Sequence, residues 1–190
     1  VERSKMGEER ELIFSVEIPE EKGSFRKLCK AVGQKNITEF SYRIDSEKVG
    51  KILLGLELSG DKKNKIAFMK SMKNKKFNLL DLSNDEISKV HLRYMTGGRP
   101  SQFPNGKIEE VFKVDFPERP GALMEFLNLL KDKWNITLFH YKNQGSIYGG
   151  ALVGFSIEEI ELEDLQKDLL KIEYPFLRVT KNKGYQAFLK

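Results

Sequence analysis

The apolar and polar positions change period as the chain is read from its amino end. Over residues 11–18 they alternate, with Phe14, Val16 and Ile18 on one side, the period of two expected of a half-buried strand. Pro19 stops the run, and the pair Gly23-Ser24 opens a stretch in which Phe25, Leu28, Cys29 and Val32 recur at helical spacing. Alternation returns over 36–45 through Thr38, Phe40, Tyr42 and Ile44. A short turn around Ser46 to Lys48 leads into 49–58, apolar enough for a central strand. A second helix over 61–74 and a last strand over 77–82 complete the order β-α-β-β-α-β.

The same order then recurs. Residues 16–25, VEIPEEKGSF, align with residues 114–123, VDFPERPGAL, 98 positions on. Residues 36–43, NITEFSYR, align with 135–142, NITLFHYK, now 99 positions on, and Gly50 and Gly55 pair with Gly149 and Gly154 at that same spacing. An extra residue in the second copy of the helix accounts for the change. The second copy has predicted strands at 108–116, 135–144, 148–157 and 174–180, with helices at 121–133 and 162–171. The expected class is α+β, two tandem ferredoxin-like βαββαβ units, each an antiparallel four-stranded sheet in the order 4-1-3-2 with its helices on one face. The expected division is 8–95 for the first unit, 96–106 for a linker and 107–190 for the second. The first unit would end in an extra helix over 84–95, capped by Ser83 or Asn84, and the linker contains Thr96-Gly97-Gly98-Arg99-Pro100-Ser101.

Composition narrows the partners. The 190 residues are 39% hydrophobic and 32% charged, with a net charge of +5 and a pI near 9.1. That balance permits nucleic-acid binding, but the densest basic stretch, Lys62 to Lys76, interleaves its lysines with Ile66, Phe68, Met69 and Met72, the pattern of a helix with one wet side. No apolar run reaches the roughly 18 residues of a transmembrane helix, so no membrane partner is expected. A single cysteine, Cys29, excludes an internal disulfide and a multi-cysteine metal site, and reducing surroundings are the expectation. The opening Val1-Glu2-Arg3-Ser4-Lys5 is polar, is not a secretory leader and lacks an initiator Met, so the chain reads as a piece of something longer.

Candidate chemistry concentrates at the repeated strand–helix junction. Unpaired N–H groups at a helix start, with the helix dipole behind them, receive a carboxylate, and glycine lets a ligand approach the backbone. Gly23, Ser24 and Phe25 in the first copy, and Gly121, Ala122 and Leu123 in the second, are therefore candidates for holding an amino acid. Each junction also reads as a tight turn and nothing more. Phe40, Tyr42, Phe139 and Tyr141 stand at alternate strand positions, either in the core or lining a pocket between the units with Arg43 or Lys142 beside them. Arg93 and Arg99 are further candidate carboxylate binders. His91 and His140 lie in different units without Cys or acidic partners at ligand spacing, so neither a metal site nor a catalytic residue is expected. The stretch 149–155, GGALVGF, is faintly like an RNA-recognition signature but lacks its basic residue and exposed aromatics.

Four ordered blocks carry a resemblance: Glu20 to Phe25, Thr38 to Arg43, His91 to Arg99 (HLRYMTGGR), and Trp134 to Tyr141. Together, and over nearly the whole chain, they resemble the carboxy-terminal regulatory region of biosynthetic threonine deaminase (threonine ammonia-lyase), built of paired ACT-like units. The resemblance implies binding of isoleucine, a feedback inhibitor, and of valine, its antagonist. It also implies a catalytic pyridoxal-phosphate domain elsewhere in the same polypeptide, no chemistry and no cofactor in this part, assembly as a homo-oligomer, and a cytoplasmic or organellar location. Tyr42, Arg43, Arg93, Tyr141 and Lys142 fall at the positions that carry the family's effector response. Lys142 is a departure from the arginine common there and loses the bidentate fork. The alternatives are an RRM-like RNA-binding pair and an oligomerisation module.

Overall fold

Phe14, Val16 and Ile18 of the first strand are buried and meet Phe25, Leu28, Cys29 and Val32 of the following helix in one core, the faces that the two periodicities predict. A computed structural model describes residues 11–44, 49–58, 62–88, 103, 106–117, 119–142 and 148–189. The first repeat comprises β1 (Glu11–Pro19), α1 (Ser24–Val32), β2 (Asn36–Arg43), β3 (Val49–Glu57), α2 (Lys62–Asn74) and β4 (Leu79–Asp81). The second comprises β5 (Ile108–Pro117), α3 (Ala122–Leu130), β6 (Asn135–Lys142), β7 (Tyr148–Ile157), α4 (Leu162–Leu170) and β8 (Phe176–Arg178), and α5 (Lys183–Phe188) follows it.

The strands form a single eight-stranded sheet in the order β4-β1-β3-β2-β6-β7-β5-β8, and every pair is antiparallel. Each half has the expected 4-1-3-2 order, the second half running in mirror sequence. The halves join where β2 pairs with β6, from Glu39 opposite Lys142 to Arg43 opposite Leu138. Across that seam α1 and α3 lie side by side, tied by Arg26 to Asn128 (3.2 Å) and to Asp132 (3.0 Å). The rings of Phe25, Phe40, Phe116, Phe126 and Phe139 meet between them, with centroids 4.8–6.5 Å apart, distances at which aromatic pairs add to simple burial.

The repeated glycines have a shared cause. Each second strand carries a bulge, between Ile37 and Glu39 and between Ile136 and Leu138. A Cβ on Gly55 would lie 2.6 Å from Thr38 Oγ1, and one on Gly154 would lie 2.9 Å from Leu138 Cβ and 3.0 Å from Thr137 Oγ1. Only a residue without a side chain admits the bulge.

Some expectations shift. Both α1 and α3 have nine residues, so the extra residue of the second copy lies after the helix, in 131–134 against 33–35. A helix grows only as far as its apolar face is covered, whereas a connecting turn absorbs an insertion freely. Of the expected helix 84–95, residues 84–88 are described: 86–88 are helical, and Asn84 and Asp85 precede the helix in a turn. The Ser83 hydroxyl is turned toward β1, accepting from Ile13 N at 3.1 Å. The turn 45–48 and most of the linker 96–106 lie outside the described residues. α5 was not anticipated. Asn182 caps it, its side chain accepting from Gly184 N (2.9 Å) and Tyr185 N (3.2 Å). Its Tyr185 packs on Val111 and Leu138, so α5 covers the sheet face opposite the helices of the repeats.

Candidate functional site

The turn Pro117–Gly121 closes on itself before α3 begins. Arg119 N donates to Pro117 O (2.8 Å) and Ala122 N to Arg119 O (3.3 Å), and Gly121 takes φ 89°, a left-handed backbone that suits glycine. No side chain caps the helix start. A hollow, part of it open to solvent, lies against this opening. Ala122, Leu123, Phe116 and Phe139 give it apolar surface, and Arg119 and Tyr141 also line it. Its remaining wall, Lys35, Asn36 and Ile37, comes from the start of β2 in the other repeat, because the antiparallel seam brings that end of β2 beside the far end of β6.

The polar groups at its mouth are arranged around Arg119. The guanidinium stands 2.5 Å from Glu125, which also accepts from the Tyr174 hydroxyl at 2.7 Å. The hydrogen bond and charge of Glu125 push the Arg119 pKa up, while those of Arg119 and then Tyr174 hold Glu125 below the usual carboxylate range. Burial first, then the hydrogen bond to Glu125, pushes Tyr174 up to about 12. Arg119 and Glu125 are each 51% exposed, so the pair is free to exchange partners with little cost.

The first junction has the same backbone and different surroundings. Gly23 takes φ 87°, and again no side chain caps the helix. Here the second repeat closes the mouth: the Asp132 carboxyl carbon lies 3.2 Å from where a Gly23 Cβ would stand, and Lys22 Nζ donates to Lys133 O at 3.1 Å. Phe25, at the position of Leu123, fills the interior against Phe40, Tyr42 and Phe139. The Tyr42 hydroxyl reaches both oxygens of Glu20 (2.7 and 2.8 Å). Burial raises the Glu20 pKa and the bond from Tyr42 partly offsets this, while burial and the Glu20 charge push the Tyr42 hydroxyl well up.

The candidates thus divide. Gly121, Ala122, Leu123, Phe139 and Tyr141 meet at the hollow, and Gly23, Ser24, Phe25, Phe40 and Tyr42 meet at the closed junction. Arg43 and Lys142 follow Tyr42 and Tyr141 directly along their strands, and successive side chains point to opposite faces. Arg43 is buried on the other face, its guanidinium on Glu109 at 2.6 and 3.0 Å and on Leu189 O at 2.5 Å. Glu109 also accepts from Thr137 and, at 2.5 Å, from Tyr185. Arg93, Arg99 and His91 lie outside the described residues. His140 is a strand residue opposite Ser41, and burial lowers its pKa. Lys35, Asn36, Ile37, Phe116 and Arg119 line the hollow without having been singled out. Arg119 and Phe116 lie inside the repeated block itself, whereas the three β2 residues depend on the seam, which neither copy signals alone. No helix among the described residues is long and apolar enough to cross a membrane.

A family model described as the C-terminal regulatory domain of threonine dehydratase matches residues 2–92 and 104–189. The chain is similar to the L-threonine dehydratase biosynthetic IlvA of Burkholderia multivorans, 41% identical over 190 residues, covering 99% of this chain and 36% of that protein. It is likewise similar to the protein of that name from Escherichia coli K12, 40% identical over 188 residues, covering 99% of the chain and 36% of the relative. A mitochondrial threonine dehydratase of Saccharomyces cerevisiae is 38% identical over 197 residues, covering 100% and 34%. The chain therefore spans about a third of the length of these relatives.

Proposed function

The chain belongs to the family of C-terminal regulatory domains of threonine dehydratase, and from that premise we propose that it binds isoleucine and valine at the second strand–helix junction. One observation carries the reading: an apolar hollow whose mouth combines an uncapped helix start, a phenol and two cationic side chains. A zwitterion with a branched apolar side chain matches that chemistry. Its carboxylate meets the N–H groups at the start of α3 and draws Arg119 away from Glu125, and its side chain lies against Ile37, Leu123, Phe116 and Phe139. Burying an isoleucine side chain contributes about 2–3 kcal/mol, and micromolar binding needs about 8 kcal/mol. The charged end must therefore supply most of the affinity. Valine is smaller by one methylene, a difference of about 1–3 kcal/mol. For the two to act oppositely, each must favour a different conformation of the domain, since a ligand indifferent to two states shifts neither.

The remainder of the polypeptide, on this reading, deaminates threonine with pyridoxal phosphate, and the domain transmits effector binding to it within a homo-oligomer. The lysines whose side chains are described are exposed or half-buried, so they do not fit the role of a cofactor-bearing lysine enclosed in a pocket. RNA binding is the weaker reading. The strand phenylalanines Phe14, Phe40, Phe112, Phe139 and Phe155 are all fully buried, which leaves bases nothing to stack on there. Titration calorimetry of the chain with isoleucine, valine and threonine tests the proposal. Isoleucine and valine should release or absorb heat and raise the melting temperature, and threonine should do so much less. Millimolar isoleucine producing neither heat nor stabilisation would overturn it.

A further inference from the structure

The two repeats share a fold but not a charge. Residues 62–76, which contain α2, have seven lysines and no acid, and α1 adds Arg26, Lys27 and Lys30 with no acid of its own. In the second repeat α3 has Glu125 and no base, and residues 158–173, which contain α4, have seven acids against two lysines. Folding does not ask for this division. Lysines in the first turn of α2 oppose the helix dipole, and Lys70 and Lys73, three residues apart, repel each other.

The charges are also separated in space. The equivalent strands β2 and β6 pair antiparallel at the seam, and the strand order reads the same outward from it in both directions. The repeats are thus related by a two-fold normal to the sheet, which puts α2 at one end of the helix layer and α4, antiparallel to it, at the other. α2 stands over the outer strands of its half, with Phe68 on Phe14 (ring centroids 5.7 Å) and Lys65 bonded to Asp81. Large apolar side chains lie exposed within both charged regions. Ile66, 63% exposed, shares its side of α2 with Lys63, Lys70 and Lys73, and in the second repeat Leu129, Ile160 and Leu170 are 48%, 85% and 66% exposed.

We propose that the helix layer is a self-complementary surface on which a second copy of this chain docks. A two-fold axis in the plane of contact, parallel to the helices, lays α2 of each copy against α4 of the other and α1 against α3. Positive then meets negative throughout one closed contact, and the exposed apolar groups lie inside it. Because α2 and α4 are antiparallel, the carboxyl end of α2, with exposed Lys70 and Lys73, comes beside the amino end of α4, with exposed Glu159 and Glu163. A copy turned so that α2 meets α2 sets like charges together and is rejected. This goes beyond the effector reading and is independent of it, since the contact needs no amino acid.

Sedimentation velocity of the wild-type chain without amino acid is the test. A dimer should form at low salt and weaken between about 0.1 M and about 1 M, as the screening length shrinks from about 10 Å to about 3 Å. Lys70→Glu/Lys73→Glu should weaken dimerisation by at least about tenfold, and so should Glu159→Lys/Glu163→Lys. Mixed in equal amounts, the two variants should form a heterodimer about as tight as the wild-type dimer, because each brings the charge the other lacks. A wild type that stays monomeric at low salt, a dimer indifferent to salt, or a mixture that fails to recover association overturns the proposal. A monomer whose lysine face instead retains RNA overturns it too. Should either reversal variant not fold by circular dichroism, Lys70→Gln/Lys73→Gln and Glu159→Gln/Glu163→Gln replace the pair, and dimerisation unchanged in both overturns the proposal.

Discussion

Replacing Arg43 with methionine tests whether the two repeats are held by charge as well as by strand pairing. Arg43 lies at the end of β2 and Glu109 in β5, so their bidentate pair crosses the seam, and both side chains are 4% exposed. Methionine keeps most of the apolar stem and removes the guanidinium. Glu109 is then left buried with only the hydroxyls of Thr137 and Tyr185, two neutral donors for a full charge. Removing one partner from a buried ion pair costs about 3–5 kcal/mol. At about 2–4 °C per kcal/mol for a chain of this size, the melting temperature should fall by about 6–20 °C. Urea unfolding followed by circular dichroism measures the loss, and a cycle with Glu109→Gln isolates the pair. In the double variant the charge that Arg43 neutralised is gone as well. Its loss should therefore fall short of the summed single losses by at least about 2 kcal/mol. A single variant that melts within 2 °C of the wild type, or single effects that simply add, would refute the argument that the seam depends on this pair.

Three further outcomes follow from the structure. Burial, more than the opposing charge of Glu39, holds His140 below the ordinary histidine range, so the folded chain binds fewer protons there than the unfolded chain does. Its contribution to stability is present above the unfolded value of about 6.5 and is lost as pH falls through that value toward the folded one. His140→Gln should flatten that part of the pH–stability curve, and an NMR titration that places His140 at or above 6.5 would contradict it. Gly121→Ala should destabilise the chain by about 1–2 kcal/mol through its positive φ alone, since the added methyl meets no described atom. Gly23→Ala should cost at least as much, because its methyl must also displace Asp132, and a neutral Gly121→Ala in urea unfolding would show the left-handed turn to be dispensable.

The repeat was legible because each copy solves the same local problem with the same residues. Pro19 and Pro117 end a strand, Gly23 and Gly121 supply the left-handed turn, and Gly55 and Gly154 make room for a threonine at a bulge. Such constraints act between residues close in sequence or in one hairpin. What could not be read was the relation between copies. The pairing of β2 with β6 is made by five residues of each strand whose alternation would suit any neighbour, so nothing in Lys35, Asn36 or Ile37 announces a wall of the hollow beside Gly121. Arg43 illustrates the limit from the other side. Its place next to Tyr42 suggested a shared pocket, but the pleat sends it to the opposite face, where Glu109 receives it from 66 residues away. α5 was missed for a similar reason: six residues hold too little periodicity, although Asn182 marked its start.

The seam also decides what the sheet offers to its surroundings. Were either half alone, the eight-residue strand β2 or β6 would present a bare margin of amide and carbonyl groups, a template for a stranger's strand. Joined, they saturate one another, and the outermost rims become β4 and β8, three residues each. A rim so short gives an incoming strand hardly any ladder to extend. Among the described residues, neither rim offers a long strand edge along which a second copy could extend the sheet end-on.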